Sequence, residues 1–270
     1  MDAMTELPSP SKPRVLLELG ELTRLTLDRP DQANALDWRM GEELEEAVAT
    51  IRAHRDVRVV VLTGSGKHFC SGGDFAFIEQ NTGLGRVEVE ARMLRFYQMY
   101  LSILELPVPT MAWVHGSAIG AGLCLALACD VRIGAASARM GVNFLRIGLH
   151  PGMGATALLP HVVGPARATE LLLTSELVNG ERARELGLLN AVVAAPELAA
   201  AGERAAREIA RAAPLAAREL VETLRAPLRS ALVQALVREA ACQAADFGTE
   251  DVRRAVEAFK SKRAPEFVGR

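Results

Sequence analysis

Two glycine-bearing turns offer chemistry through their backbone. One is His68-Phe69-Cys70-Ser71-Gly72-Gly73-Asp74, which follows a β-branched run over 57–63. The other, His115-Gly116-Ser117-Ala118-Ile119-Gly120-Ala121-Gly122-Leu123-Cys124, opens an apolar stretch that ends at Asp130. A helix N-terminus leaves backbone N–H groups without intrahelical acceptors and carries partial positive charge, so one that opens into a cleft can hold an oxyanion. Two strand-then-glycine turns offer two donors, and donors that converge on one carbonyl oxygen stabilise an enolate or a tetrahedral anion. Taken alone, both turns read more readily as tight strand-to-helix connections, since glycine turns are common punctuation.

The elements that must position these turns are legible from periodicity. Two apolar-rich runs over 15–19 and 22–27, separated by Gly20-Glu21, predict a β-hairpin. Asp37 is placed to cap an amphipathic helix to about Arg52, with Met40, Leu44, Ala47, Val48 and Ile51 on one face. Strand, turn and helix then recur: a strand over 57–63 with a helix after the glycine turn, a strand over 110–114 with the Gly120 helix, and a strand over 131–133 with a helix starting near Gly152. Repeated β-turn-α units predict an α/β spiral or layered core. Beyond Pro196 the chain turns Ala-, Glu- and Arg-rich, and four short helices are expected over 200–212, 215–224, 230–245 and 250–260, the last capped by Thr249. The expected divisions are a disordered tail over 1–13, a spiral core over 14–195 and a helical region over 196–270.

Composition narrows the function classes. With 270 residues, half of them hydrophobic, the chain can bury a sizeable core. A formal net charge of −2 leaves no basic field for nucleic acid or an anionic membrane. The apolar run over 118–129 is too short to span a bilayer, and no secretory signal pattern opens the chain, so a cytoplasmic location is expected. Cys70, Cys124, Cys129 and Cys242 show neither a CxxC pair nor histidines at ligand spacing, so no metal site is expected. Gly64-Ser65-Gly66-Lys67-His68 fails the P-loop pattern in its first glycine and its last residue.

Several further segments stand in order with the two turns. They are Leu27-Asp28-Arg29-Pro30 with Ala33-Asn34-Ala35-Leu36, Ile147-Gly148-Leu149-His150-Pro151-Gly152-Met153-Gly154, Val163-Gly164-Pro165-Ala166-Arg167-Ala168, and the closing run from Lys262 to Arg270. In these pieces, over roughly residues 14 to 270, the chain resembles the crotonase family, the enoyl-CoA hydratases and isomerases. The resemblance implies a crotonase-like ββα spiral with a C-terminal helical trimerisation region that roofs the active site. It implies a homotrimer or a dimer of trimers. The implied substrate is a coenzyme A or carrier-protein thioester, with no cofactor. Gly73 and Ala121 would be the oxyanion donors. Ala33, Cys70, Ser71, Gly72, Asp74, Gly120 and Phe144 would contact substrate, and Arg29, Lys260 and Lys262 would meet CoA phosphates.

One departure decides the expected chemistry. Hydratases of this family carry a glutamate three residues after the second oxyanion donor and another seven before the Pro-Gly of the later turn; those positions here are Cys124 and Phe144. Hydration needs one group to activate water and one to protonate carbon, which a thiol and a phenyl ring do not supply. Isomerisation or decarboxylation is therefore expected ahead of hydration. The alternatives are a non-catalytic acyl-CoA binder and a hydratase whose acid and base come from other positions. Two side chains near the vacated positions could titrate. Cys124 is a base or nucleophile on the face of Ala121, or a small buried hydrophobe. His150 is a general base, or a loop histidine bonded to backbone. Asp74 and Glu79 are candidate acids, Asp74 equally an N-cap, while His68 and His115 are expected to support the turns.

Overall fold

The computed structural model describes residues 12–270, so the first eleven residues of the expected 1–13 tail lie outside it. The predicted hairpin is β1 (Val15–Glu18) against β2 (Leu22–Leu27), antiparallel with Val15 opposite Leu27. Helix α1 (Trp38–Ala53) starts where Asp37 accepts a hydrogen bond from Met40 N at 2.9 Å, and it buries the predicted apolar face. β3 (Val59–Gly64) lies parallel to β2, followed by α2 (Phe75–Asn81) and α3 (Arg86–Leu101). Then come β4 (Thr110–Val114), β5 (Ser117–Ile119), α4 (Ala121–Leu127), β6 (Val131–Ala135) and β7 (Arg139–Gly141). The chain continues through α5 (Ala155–Val163), α6 (Pro165–Thr174), β8 (Val178–Asn179), α7 (Gly180–Leu186) and β9 (Ala191–Val193). Three helices close it: α8 (Leu198–Ala210), α9 (Pro214–Asp246) and α10 (Glu250–Lys260), which Thr249 caps.

The strands form a six-stranded sheet in the order β1-β2-β3-β4-β6-β9, parallel except for the hairpin, and a small sheet β5-β7-β8. β4 is buried along its whole length, as a parallel strand covered on both faces should be. Alternation assigns its residues to two cores: Ala112 and Val114 face the main one, while Met111 and Trp113 join Val59, Val61 and Ile133 beneath α8.

Two expectations are corrected. The helix expected near Gly152 begins at Ala155, because Met153 and Gly154 adopt positive φ (60° and 75°) and hold the turn open. The pieces expected over 215–224 and 230–245 are one 33-residue helix, α9, which runs through Pro227. Proline removes one backbone donor and normally breaks a helix. Here the neighbouring turn is anchored by Arg225, 3% exposed, which pairs with Asp130 at 2.5 Å and donates to the carbonyls of Leu106 and Val108. That anchorage also fixes α9 to the loop before β4, so the helical region is built into the α/β core.

Candidate active site

Three chain segments are stitched side by side. Cys70 N donates to Ser117 O at 2.9 Å and Ile119 N to Cys70 O at 3.1 Å, which joins the two glycine turns. Ser117 N also donates to His68 Nδ1, so His68 does support the turn. On the other side Ser71 N donates to Ala33 O, Leu36 N to Gly72 O and Asp74 N to Leu36 O, tying in the segment over 33–36. Glycine is required at two places. Gly72 sits at φ +103°, where a Cβ would stand 2.9 Å from Ile119 O; Gly120 sits at φ +54° and ψ −122°, immediately before α4.

Ala121 opens α4, so its N–H has no acceptor within the helix. Among the described residues no hydrogen bond uses Gly73 N or Ala121 N. Both residues line one cavity of about 840 Å³. Two uncommitted backbone donors on neighbouring turns of one wall can bind an oxygen that gains negative charge.

Of the other residues singled out by sequence, Ser71, Gly72, Asp74, Gly120 and Phe144 also line the cavity, and Ala33 and Cys70 do not. Ala33 offers only its carbonyl to Ser71; Gln32 and Ala35 stand on the wall instead. Cys70 is fully buried, and burial pushes its thiol up to about 12. Asp74 caps α2 by accepting from Ala76 N at 2.8 Å and pairs with Arg29 at 2.9 Å. Arg29 also holds Asp37 at 3.0 Å and the carbonyl of Ala35 at 2.7 Å, so its donors are committed to organising the mouth of the cavity. Lys260 pairs with Glu79 at 2.6 Å; with Lys262 and Arg263 it rims an adjoining cleft that shares Phe75, Ala76 and Phe259 with the cavity.

Cys124 and His150 lie behind the wall. Cys124 is fully buried with its Sγ toward Gly152 O at 3.7 Å, and burial, with Glu239 nearby, raises its pKa well above the usual thiol range. A thiol so placed is held protonated. His150 turns its Nδ1 to Pro151 O at 2.6 Å, and its backbone N donates to Asp246. Neither side chain reaches the cavity surface. The wall does include residues that local motifs did not reveal: Met93, Phe96 and Tyr97 from α3, Gln243 from α9 and Phe247 just beyond it. No short-range signal marks them, because their place depends on how α3 packs against α9. Among the described residues no cluster of three or more His, Cys, Asp and Glu could hold a metal ion. No helix there is long and apolar enough to cross a membrane.

The enoyl-CoA hydratase/isomerase family model matches residues 20–270. The chain belongs to that family. It is 40% identical to the mouse "Enoyl-CoA hydratase domain-containing protein 2, mitochondrial" over 92% of this chain and 85% of the relative. It is 32% identical to the 1,2-epoxyphenylacetyl-CoA isomerase of Escherichia coli K12 over 94% of this chain and 97% of the relative. The fold matches the crystal structure of an enoyl-CoA hydratase from Mycobacterium avium subsp. paratuberculosis K-10 at a TM-score of 0.84 with 28% identity, covering 94% of this chain and 98% of that one. The family therefore confirms the α/β spiral and a hydratase/isomerase-type enzyme as the setting for these residues.

Proposed function

We propose that this enoyl-CoA hydratase/isomerase family member binds an acyl-CoA thioester with the carbonyl oxygen between Gly73 N–H and Ala121 N–H. There it stabilises the enolate, and it isomerises the acyl group in preference to hydrating it. The observation that carries the reading is the pair of uncommitted donors on one cavity wall. An enolate oxygen carries far more charge than the ground-state carbonyl, so donors fixed in the cavity wall favour it selectively. The thioester itself supplies the electron sink, and no cofactor is invoked. Hydration is disfavoured because the positions of the family's two glutamates hold Cys124, which does not reach the cavity, and Phe144, which presents a ring to it. Asp74, next to Gly73 on the wall, is the carboxylate assigned to proton movement, oriented by Arg29 and Ala76 N. The cationic rim of Lys260, Lys262 and Arg263 suits the CoA phosphates.

A second reading, a non-catalytic acyl-CoA binder, is favoured by one observation: both wall carboxylates, Asp37 and Asp74, already cap helices and pair with Arg29. Incubation with 2-enoyl-, 3-enoyl- and malonyl-type CoA esters, and with a saturated ester in D₂O, followed by mass spectrometry, tests both. Double-bond migration or deuterium uptake at the α-carbon supports the isomerase; binding without either supports the binder; fast hydration contradicts the proposed preference. Self-assembly as a homotrimer is part of the proposal, supported by large aliphatic side chains left exposed along α9, Leu220, Leu224, Val233 and Val237.

A further inference from the structure

Charge divides the cavity wall. Its charged lining residues, Arg14, Arg29, Asp37, Arg39 and Asp74, are all partly exposed. The buried lining is uncharged and bulky, with Phe77, Phe96, Phe144, Met153 and Phe247 each 8% exposed or less. Phe77 and Phe96, both on the lining, stack on each other at 4.5 Å between ring centroids. Among the described residues only Tyr97 and Gln243 bring polar side chains to this buried part. They are largely committed to each other and to the backbone: Tyr97 Oη donates to Gln243 Oε1 at 2.7 Å, and Gln243 Nε2 donates to His150 O at 2.7 Å.

What lies behind Tyr97 and Gln243 is acidic. Glu239 accepts from Gly154 N, Thr156 N and Thr156 Oγ1, and Asp246 accepts from His150 N. Burial raises the pKa of both carboxyls and of the Tyr97 hydroxyl, and Glu239 and Asp246 raise Tyr97 further. Among the described residues His150, which is not part of the cavity lining, is the basic group whose charge acts on both acids. A carboxylate placed against this buried lining would lose its water and find no cation among the buried lining residues described, with two acids behind them. An aromatic ring would exchange water for stacked and edge-on contacts. The cavity as a whole, buried and partly exposed parts together, has about 840 Å³, against the about 150 Å³ in which an apolar cavity holds a benzene ring.

Resting on the acyl-thioester reading above, we propose that the buried chamber takes a bulky, uncharged acyl group of aromatic-ring size and turns away acyl groups that end in a carboxylate. It follows that malonyl-type esters, whose decarboxylation the sequence leaves open beside isomerisation, are poor ligands.

Calorimetric titration of the full chain with CoA, pentanoyl-CoA, glutaryl-CoA and phenylacetyl-CoA tests this directly, because pentanoyl and glutaryl differ by one terminal carboxylate. Phenylacetyl-CoA should bind at least about tenfold more tightly than CoA, as ring burial and stacking together imply. Glutaryl-CoA should bind at least about tenfold more weakly than pentanoyl-CoA, as an uncompensated buried charge implies. Glutaryl-CoA binding as tightly as pentanoyl-CoA, or phenylacetyl-CoA binding no more tightly than CoA, overturns the proposal. If CoA and all three esters bind equally, the chamber assignment fails while the CoA-binding part of the thioester reading stands. If none of the four binds, the thioester reading fails and this proposal with it.

Discussion

Four cysteines separate reactive from silent thiols by burial alone. Cys70, Cys124 and Cys129 are buried and Cys242 is partly exposed. Burial pushes the Cys70 and Cys129 thiols up to about 12 and Cys124 well above its usual value. At pH 8 a thiol reagent should therefore modify at most Cys242 in the native protein and all four cysteines in denaturant, read by intact mass. Rapid native labelling of Cys124 would contradict its placement. These groups also give stability a sign with pH. Their folded pKa values lie above the unfolded ones, so the unfolded chain releases protons first. Stability is thus full below about pH 8.5, the unfolded thiol value, and falls above it by about 1.4 kcal/mol per pH unit for each thiol. Thermal unfolding between pH 8 and 11 should show a falling midpoint; a flat profile would contradict it. At this scale the turn glycines Gly72 and Gly120 are legible in the sequence, because a positive φ and a helix start leave local signatures, whereas Gly73 and Ala121 as oxyanion donors follow from the family resemblance. The sequence left Cys124 and His150 open, since whether a side chain reaches a cavity depends on packing a turn or an element away. Cys124→Ala should leave ester binding and turnover within about twofold, as expected for a residue outside the cavity wall, at the stability cost of a small cavity.

Single elements were read well where both of their ends are marked locally. Asp37, Asp74 and Thr249 all cap helices as their residue types suggest, with side-chain oxygens accepting from Met40, Ala76 and Val252. The two helices expected over 215–224 and 230–245 are one because tertiary contacts outweigh the hydrogen bond lost at Pro227. Arg225 supplies many of them, reaching Asp130, Thr110 and the carbonyls of Leu106 and Val108 from a site 3% exposed. Arg225→Leu should destabilise the protein by about 3 kcal/mol, because it removes the buried donor of the partly exposed Asp130 and of the buried carbonyls of Leu106 and Val108 together. Urea unfolding measures this, and a loss below 1 kcal/mol, on the order of a surface pair, would contradict a buried anchor. Since α9 carries Gln243, the same variant should also weaken binding of acyl-CoA esters.

The cavity is a property of the whole molecule. Its wall takes residues from the segment before α1, from both glycine turns, from α3, from the turn before α5 and from the end of α9, and no local window contains that combination. The proposed assembly would extend the same logic between copies. With Leu220, Leu224, Val233 and Val237 each more than half exposed on α9, sedimentation equilibrium should give three times the 29.0 kDa of one chain, or a multiple of that. Leu220→Glu combined with Leu224→Glu should lower that mass; a wild-type monomer at micromolar concentration would contradict self-assembly through α9. Enolate stabilisation by the paired turns is tested most directly by deuterium uptake at the α-carbon of a saturated acyl-CoA in D₂O, comparing the wild type with Ala121→Pro. Proline is well tolerated at the first position of a helix, and Ala121 N bonds to nothing among the described residues, so the substitution deletes the donor and leaves the fold standing. The expected result is uptake by the wild type and a rate about 10²–10³ lower in the folded variant, the loss typical of one oxyanion donor. A folded Ala121→Pro protein that exchanges the α-proton at the wild-type rate would contradict it.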